Sequence, residues 1–218
     1  MLNLTFKKAS IEDIKFIARS IIEAEKSGTN FTTLQKIFNI DEAELYEIIL
    51  KILASKIPGS EYFIEDHYIA QIDKQNVASI ATWIEAEKGL SSNFIKISIF
   101  NKFFKDYFNK DVRDKLKLIS SIDIARNKNA LQIESVYTCN EHRGKGISDK
   151  LIDFSIKVKR EKTGFNKVQI VSVIENTSSA NVFIKSGFVL KQKKISNNNK
   201  ILDIFPGTGK ILWEKNYD

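Results

Sequence analysis

One stretch of the chain, residues 131–151, changes from a strand pattern to a helix pattern across a turn that contains two glycines. It reads LQIESVYTCNEHRGKGISDKL, so a run rich in β-branched residues ends shortly before Gly144 and Gly146. Glycine lets a backbone approach a ligand closely because it has no Cβ atom. The first N–H groups of the following helix lack intrahelical acceptors, and the helix dipole adds partial positive charge there. The stretch therefore predicts a binding place for a phosphate or pyrophosphate.

A second block lies about thirty residues further on. A predicted buried strand at 168–173 is followed by NTSSANVFIKSGF, which begins at Asn176. The first block resembles the acyl-CoA signature V-x-P-x-x-R-G-x-G-[IL]-[GA]-x-x-L of the GNAT superfamily of N-acyltransferases, and the second resembles its N-x-x-[AS]-x-x-x-[YF]-x-K-x-G-F. Asn140 replaces the proline and Ser148 the last small residue. Two blocks in this order form a more specific signal than either alone.

The resemblance implies the fold class and the domain organisation. It implies an α/β (α+β) fold with a GNAT-like mixed, mostly antiparallel central sheet flanked by helices. We expect a single domain over residues 1–218, with an acetyl-CoA-binding core at about 131–190. Helical patterns at about 31–58 and 90–127 are extra helical insertions. The second insertion is rich in aromatic residues and is expected to be core, with a lid, an acceptor-pocket wall or a homodimer interface as the alternatives.

The remaining elements follow from periodicity and turn residues. Strands are predicted at 4–7, 62–72, 77–86, 188–195 and 211–214. A helix is predicted to start at Ser10, with Asp13 in capping-box position, and to end at Gly28. Another is predicted from Asp41 to Pro58. The first helix of the second insertion, after Ser91, has apolar residues on all of its sides. It is therefore expected to be buried on several sides.

The resemblance also implies that the cosubstrate is acetyl-CoA. Backbone N–H groups of residues 143–148 would hold its pyrophosphate, and the strand before them would pair with its pantetheine arm. The residues predicted to bind the cofactor are Val136, Tyr137, Thr138, Arg143, Gly144, Lys145, Gly146, Ile147, Ser148, Asn176, Ser179, Phe183 and Lys185.

The catalytic candidates come from the chemistry of amine acylation. An acceptor amine is mostly protonated at neutral pH, so a group must remove a proton. The resemblance points to Glu134 on the fourth strand, for which a structural or solvated strand carboxylate is the alternative, and Glu85 on the neighbouring strand is the second choice. The family's usual tyrosine acid is replaced by Phe183, so Tyr137 or water is predicted to protonate the thiolate. Glu23 and Glu25 would border the acceptor, although a solvated helix face is the commoner explanation for such residues.

Composition narrows the remaining classes. The net charge is +7, and residues 131–218 hold 15 basic against 9 acidic side chains. Such a field steers a polyanionic cofactor, and no nucleic-acid-binding motif accompanies it. One cysteine, no signal-peptide core and no long apolar run predict a cytoplasmic protein without membrane contact. His67 and His142 are too far apart to predict a metal site.

These observations predict a transferase that moves an acetyl group from acetyl-CoA directly to an amine of a small molecule or amino acid. Two alternatives stay open at this point. One is a protein or peptide N-acetyltransferase. The other is a non-catalytic acyl-CoA-binding module, which is kept open by the absence of the usual tyrosine.

Overall fold

A computed structural model of the chain describes residues 3–217. Its centre is a seven-stranded sheet in the order β1-β2-β3-β4-β5-β7-β6. Neighbouring strands are antiparallel except for β4 and β5, which are parallel. The predicted mixed, mostly antiparallel sheet is therefore confirmed. The strands are β1 Leu4–Lys8, β2 His67–Ile72, β3 Gln75–Ile84, β4 Leu131–Thr138, β5 Lys167–Val173, β6 Val189–Ile195 and β7 Gly209–Asn216.

Helices cover both faces of this sheet. They are α1 Ile14–Lys26, α2 Thr33–Phe38, α3 Glu42–Ala54, α4 Ser92–Phe103, α5 Lys110–Ser120, α6 Ile147–Thr163 and α7 Thr177–Lys185. Alternate residues of β2 separate two apolar clusters, because Ile69 packs with α1 to α5 whereas Tyr68 and Ala70 pack with α6. Since successive side chains of a strand point to opposite faces, the two clusters lie on opposite sides of the sheet.

Local capping explains where several helices begin. Ser10 and Asp13 form a capping box ahead of α1, and the Asp41 carboxylate accepts the Glu44 N–H at the start of α3. A capping box between Thr32 and Gln35 starts α2. The sequence analysis predicted helical structure over 31–58 but did not identify α2 as a separate helix. Each such cap contributes about 1 kcal/mol by satisfying an otherwise free N–H group.

The two insertions hold α2–α3 and α4–α5, and most of their apolar side chains join one cluster. Phe38 stacks on Phe104 at 4.1 Å between ring centroids and meets Tyr107 edge-on at 6.3 Å. Phe104 is fully buried. Aromatic pairs of this kind add about 0.5–1.5 kcal/mol beyond the area that they bury. The insertion at 90–127 therefore contributes to the core, as expected.

Two expectations for these elements were wrong. Helix α4 is buried on one side only, since Phe94 and Ile97 remain 55% and 49% exposed. Its neighbours α3 and β4 cover a single flank, so apolar composition overstated its burial. The strand predicted at 62–72 begins only at His67, because a short 3-10 turn at Ile64–Asp66 precedes it.

Among residues 3–217, none of the helices has both the length and the apolar character needed to cross a bilayer.

Candidate active site

The parallel strands β4 and β5 separate in the middle of the sheet. Their ladder joins Leu131–Ile133 of β4 to Val168–Ile170 of β5 and stops there, although β4 runs on to Thr138 and β5 to Val173. Beyond Ile133, the β5-facing backbone groups of β4 border an opening. Backbone N–H and C=O groups seek partners, so an extended amide-bearing ligand can pair with this edge as an added strand would.

A β-bulge lies in β4 at the point where the strands separate. Strand β3 advances two residues, from Ser79 to Ala81, while β4 advances three, from Glu134 to Tyr137. Ser135 is the extra residue, and its backbone has a left-handed conformation with φ of 51°. A bulge shifts the alternation of side chains by one position. Glu134 and Tyr137 therefore lie on the same face of the sheet.

The residues of β4 that point to the other face of the sheet confirm this shift. Ile133 and Val136 both pack into the apolar cluster of α6, although they are three positions apart. Helix α1 packs across the other face of β4, and the charge of Glu23 near its end acts on Tyr137. The two residues predicted to be catalytic thus share one face with α1, and Val136 faces away from them.

The glycine turn follows β4 directly. Gly144 and Gly146 have φ of 74° and 68°, and Gly146 is the N-terminal cap of α6. A Cβ atom placed on Gly144 would meet nothing within 4 Å, so the turn faces open space. Ile147 anchors the helix start because its side chain is buried in the core. The first N–H groups of α6 and this open turn have the features of an anion-binding turn, and the binding of a pyrophosphate there stays a prediction.

The polar side chains of the turn mostly hold the turn itself. Arg143 Nε donates to the Thr138 carbonyl at 3.0 Å, and Lys145 Nζ donates to the Glu141 carbonyl at 2.9 Å. The Thr138 and Ser148 hydroxyls are 2.9 Å apart and join β4 to α6. Arg143 and Lys145 are nevertheless exposed. Their positive charge therefore remains close to any anion at the turn.

A cluster of charged side chains occupies the α1 face beside the bulge, and the sequence reading missed most of it. Lys96 Nζ lies 2.7 Å from Glu134 Oε2 and 2.8 Å from Glu61 Oε1, and Arg126 is ion-paired with the other oxygen of Glu134. Lys96 and Arg126 also lie over the Trp83 ring. The four charged side chains keep between 11% and 19% of their exposure. They therefore form a largely buried cluster of opposite charges.

Comparison with known proteins agrees with this geometry. The profile of the acetyltransferase (GNAT) family matches residues 65–188, more than half of the chain. The chain belongs to the GNAT acetyltransferase family. No curated protein sequence matches it significantly.

Solved structures share the GNAT fold at low sequence identity. An N-acetyltransferase from Staphylococcus aureus Mu50 is 15% identical, with a TM-score of 0.62 over 97% of this chain and 100% of that one. The yncA protein of Salmonella typhimurium, solved with its cofactor acetyl-CoA, is 13% identical, with a TM-score of 0.53 over 99% and 94%. The NatC complex bound to Gag peptide and CoA is 15% identical, with a TM-score of 0.51 over 99% of both chains.

The second GNAT block supplies structural contacts around α7. Asn176 Oδ1 accepts the Ser179 N–H at 3.1 Å and thereby caps α7, whereas Lys185 is exposed at its other end. Phe183 is buried and meets Trp213 edge-on at 6.2 Å between ring centroids. It belongs to the same apolar cluster as Val136. Cofactor contacts for these residues stay predictions.

Tyr137 keeps its proton firmly. Burial and a hydrogen bond donated to the Cys139 thiol raise the pKa of Tyr137 to about 12, and burial also raises the pKa of Cys139. Both groups are therefore protonated at neutral pH. A protonated phenol on the α1 face of β4 can donate a proton to a nearby leaving group.

The second base candidate, Glu85, is fully engaged. Its carboxylate accepts the Trp83 indole N–H at 3.3 Å and the Ser92 backbone N–H at 2.9 Å. Only 3% of the residue is exposed. Because Ser92 is the first residue of α4, Glu85 stabilises the start of that helix. The role of Glu85 as the second-choice base stays a prediction.

Of the two acidic residues at the end of α1, Glu25 is the one that points inward. Glu23 pairs with Lys26 at 2.7 Å on the helix surface. Burial and the neighbouring Glu61 carboxylate raise the pKa of Glu25 to about 7, against opposing effects of the Leu34 N–H and Lys96. Glu25 is thus a carboxyl group that changes charge near neutral pH.

Replacing Glu25 with glutamine is expected to stabilise the protein at alkaline pH. In the folded protein the pKa of Glu25 is raised to about 7 from its ordinary value of 4.5. The free energy of unfolding therefore falls as pH rises between about 4.5 and 7. The variant should gain about 3 kcal/mol at pH 8 and less than about 1 kcal/mol at pH 5. Urea unfolding at both pH values measures this, with the exposed Glu47→Gln as control. An equal gain at both pH values would contradict the assignment.

Within residues 3–217, no group of three or more His, Cys, Asp or Glu side chains has the arrangement of a metal site.

Proposed function

We propose that this GNAT protein transfers an acetyl group from acetyl-CoA directly to the amine of a small molecule. The observation that carries the proposal is the opening between β4 and β5 with a bulge at its start and the glycine turn at its end. Backbone groups of Val136–Thr138 would pair with the pantetheine arm, and N–H groups at Ile147 and Ser148 would hold the pyrophosphate. Bound in this way, the cofactor would carry its thioester beside the bulge.

The inserted helices favour a small acceptor. Lys96 from α4 and Arg126 from the segment after α5 reach across to Glu134 on β4. They cover part of the α1 face of β4 beside the bulge, and this would narrow the approach of an acceptor from that side. A protein acceptor needs a wider groove for its backbone. The NatC complex shares the fold, so fold alone does not discriminate between peptides and small amines.

The chemistry needs a proton acceptor, a proton donor and a place for the oxyanion. A free amine attacks the thioester carbonyl, and a backbone N–H of β4 near the bulge can stabilise the developing oxyanion. The departing thiolate has a low proton affinity, so water can protonate it, and Tyr137, whose pKa is raised to about 12, would stabilise it by donating a hydrogen bond. These roles remain predictions of the proposal.

Glu134 is less available as a base than its position in the sequence suggested, because its carboxylate is already ion-paired. Lys96 and Arg126 each hold one of its oxygens, and two nearby cations favour the ionised form of a carboxyl group. Direct proton uptake by Glu134 is therefore costly. As a catalytic residue it would act most simply by orienting a water molecule or the acceptor. Its role stays a prediction.

Two measurements test the proposed function. We expect calorimetry to detect acetyl-CoA binding with a Kd below about 1 mM, which is typical of enzyme substrates. We expect free-thiol release from acetyl-CoA to rise when small amines are added. Binding without amine-dependent thiol release would favour the acyl-CoA-binding module. Release with peptides but not with small amines would favour the peptide transferase. The expectations of a cytoplasmic location and of a homodimer rest on the sequence alone.

A further inference from the structure

Strand β6 forms one edge of the sheet and is its most exposed strand. It pairs with β7 on one side, and no strand within residues 3–217 pairs with its outer side. Six of its seven residues are exposed, and the other is half-buried. The N–H and C=O groups along the outer side of such an edge are open to a further strand.

Exposed apolar side chains gather around this edge. Nine large apolar side chains within residues 3–217 are exposed, and five of them lie between positions 184 and 202. These five are Ile184, Val189, Leu190, Ile195 and Leu202. A group of exposed apolar side chains among polar ones is typical of an interaction surface.

The charge of the same segment is entirely positive. Between positions 176 and 202 the chain has five lysines and no Asp or Glu, the lysines being Lys185, Lys191, Lys193, Lys194 and Lys200. Lys194 Nζ donates to the Asp123 carbonyl at 2.8 Å. The ammonium groups of the other four have no ion pair within residues 3–217. Uncompensated cations beside an open edge favour an acidic partner.

The same lysines make a second copy of β6 a poor partner. If two β6 strands paired antiparallel about a two-fold axis at Gln192, Lys191 of each copy would lie opposite Lys193 of the other. An axis at Lys191 or Lys193 would bring that lysine opposite its own copy. Like charges directly opposite each other destabilise a pair of strands.

The pairing with β7 shows which side chains share a face of this edge. Leu190 and Lys193 lie opposite Trp213 and Ile211, which pack into the apolar cluster of α6. Ile195 follows two positions after Lys193 and therefore points to the same face. On that face the edge presents a lysine between two apolar side chains.

We propose that the outer edge of β6 binds an extended acidic segment of a partner protein, which joins the sheet as a further strand. Backbone hydrogen bonds supply affinity, and side chains on alternate positions supply specificity. The segment carries a carboxylate that faces Lys193. Apolar residues two positions before and after this carboxylate pack against Leu190 and Ile195.

Two features of the fold support this choice of partner and place. Single-stranded nucleic acid is bound largely by stacking on exposed aromatic rings, whereas Phe183 and Phe188 near this edge are buried. Strands β7 and β5 lie between β6 and the opening beside β4. The surface is therefore separate from the proposed active site, and its test does not depend on acetyl transfer.

Two labelled peptides test the charge of the partner. The acidic probe is a seven-residue threonine peptide with valine at its second and sixth positions and glutamate at its fourth, and lysine replaces the glutamate in the second peptide. In fluorescence anisotropy with the full chain, we expect the Kd to be at least about fivefold lower for the acidic peptide, since an attraction replaces a repulsion. Equal Kd values, or no binding of the acidic peptide at about 1 mM, would overturn the proposal.

A third peptide tests the backbone pairing. Proline in place of the two threonines beside the glutamate removes N–H groups but keeps the charge and both valines. We expect this peptide to bind at least about tenfold more weakly than the acidic probe. The acidic probe should also slow hydrogen exchange of amides in β6. Undiminished binding of the proline peptide would show charge attraction without strand addition.

A matched pair of variants tests the strand itself. Lys193→Gln should lower the preference for the acidic peptide over the lysine peptide at least about threefold, because it removes the cation that faces the carboxylate. Lys51→Gln, at an exposed position of α3, should leave both Kd values within about twofold. An unchanged preference in Lys193→Gln would overturn the assignment of Lys193.

The same measurements detect the two other occupants. Protection of β6 amides that rises with protein concentration in the absence of peptide would show a second copy at this edge. Labelled oligothymidine that binds more tightly than the acidic peptide and protects the same amides would show a nucleic-acid site. Either result would overturn the proposal.

Discussion

Replacing Gly144 with glutamate should lower the affinity for acetyl-CoA at least about 100-fold, which corresponds to about 2.7 kcal/mol. The new carboxylate would project into the open space where the pyrophosphate is expected and would repel it. Because Gly144 is exposed, the fold should survive, with a loss of about 1–2 kcal/mol for a side chain at φ of 74°. Calorimetric titration with acetyl-CoA measures the change.

The same helix offers a matched control. Gly164 ends α6, is exposed, has φ of 63°, and would likewise place a Cβ atom in open space. Glu at this position introduces the same charge and similar backbone strain far from the turn. Gly164→Glu should leave acetyl-CoA affinity within about twofold, within the usual small effect of distant surface changes. Equal affinities for the two variants would count against the glycine turn as the pyrophosphate site.

Replacing Lys96 with methionine should destabilise the protein by about 3–5 kcal/mol, because it leaves the largely buried Glu61 and Glu134 without their shared cation. For a chain of this size the melting temperature should fall by roughly 10 °C. Urea and thermal unfolding at pH 7 measure the loss. The double variant that also carries Glu61→Gln should recover much of it, because Glu134 keeps Arg126 as its partner and no buried carboxylate is then left unpaired.

Lys102 is the control for this experiment. It lies on the same helix α4, is exposed, and contacts only the Phe103 ring among the interactions that the structure shows for it. Lys102→Met should change stability by less than about 0.5 kcal/mol. A loss of stability below about 1 kcal/mol for Lys96→Met would contradict this account. It would mean that water molecules or a bound proton stabilise Glu61 and Glu134 in place of the lysine.

The parts of the site that were predictable are those encoded within a few residues. The glycine turn and the capping residues Ser10 and Asp41 act on backbone groups no more than four positions away. Their residue types are informative because few other side chains satisfy the same N–H groups or conformations. The Thr32–Gln35 box belongs to the same class and could have identified α2 in advance.

The charged cluster had no such signal. Lys96 meets Glu134 across 38 positions of the chain, and Glu61 belongs to a third segment. The only hint is a lysine placed between the apolar residues Ile95 and Ile97, and a solvated lysine would look the same. The bulge was hidden too, because the left-handed residue is Ser135 and not a glycine or asparagine.

The amino-acid sequence by itself determined the family, the strand–turn–helix that contains the two glycines, and most of the helix starts, since these depend on short-range hydrogen bonds and on residues with special backbone preferences. The tertiary structure alone decided which carboxylates join the charged cluster, which cations neutralise them and which oxygen of Glu61 stays without a donor. Charges act through space, so their balance is set only when the sheet and the inserted helices bring distant segments together.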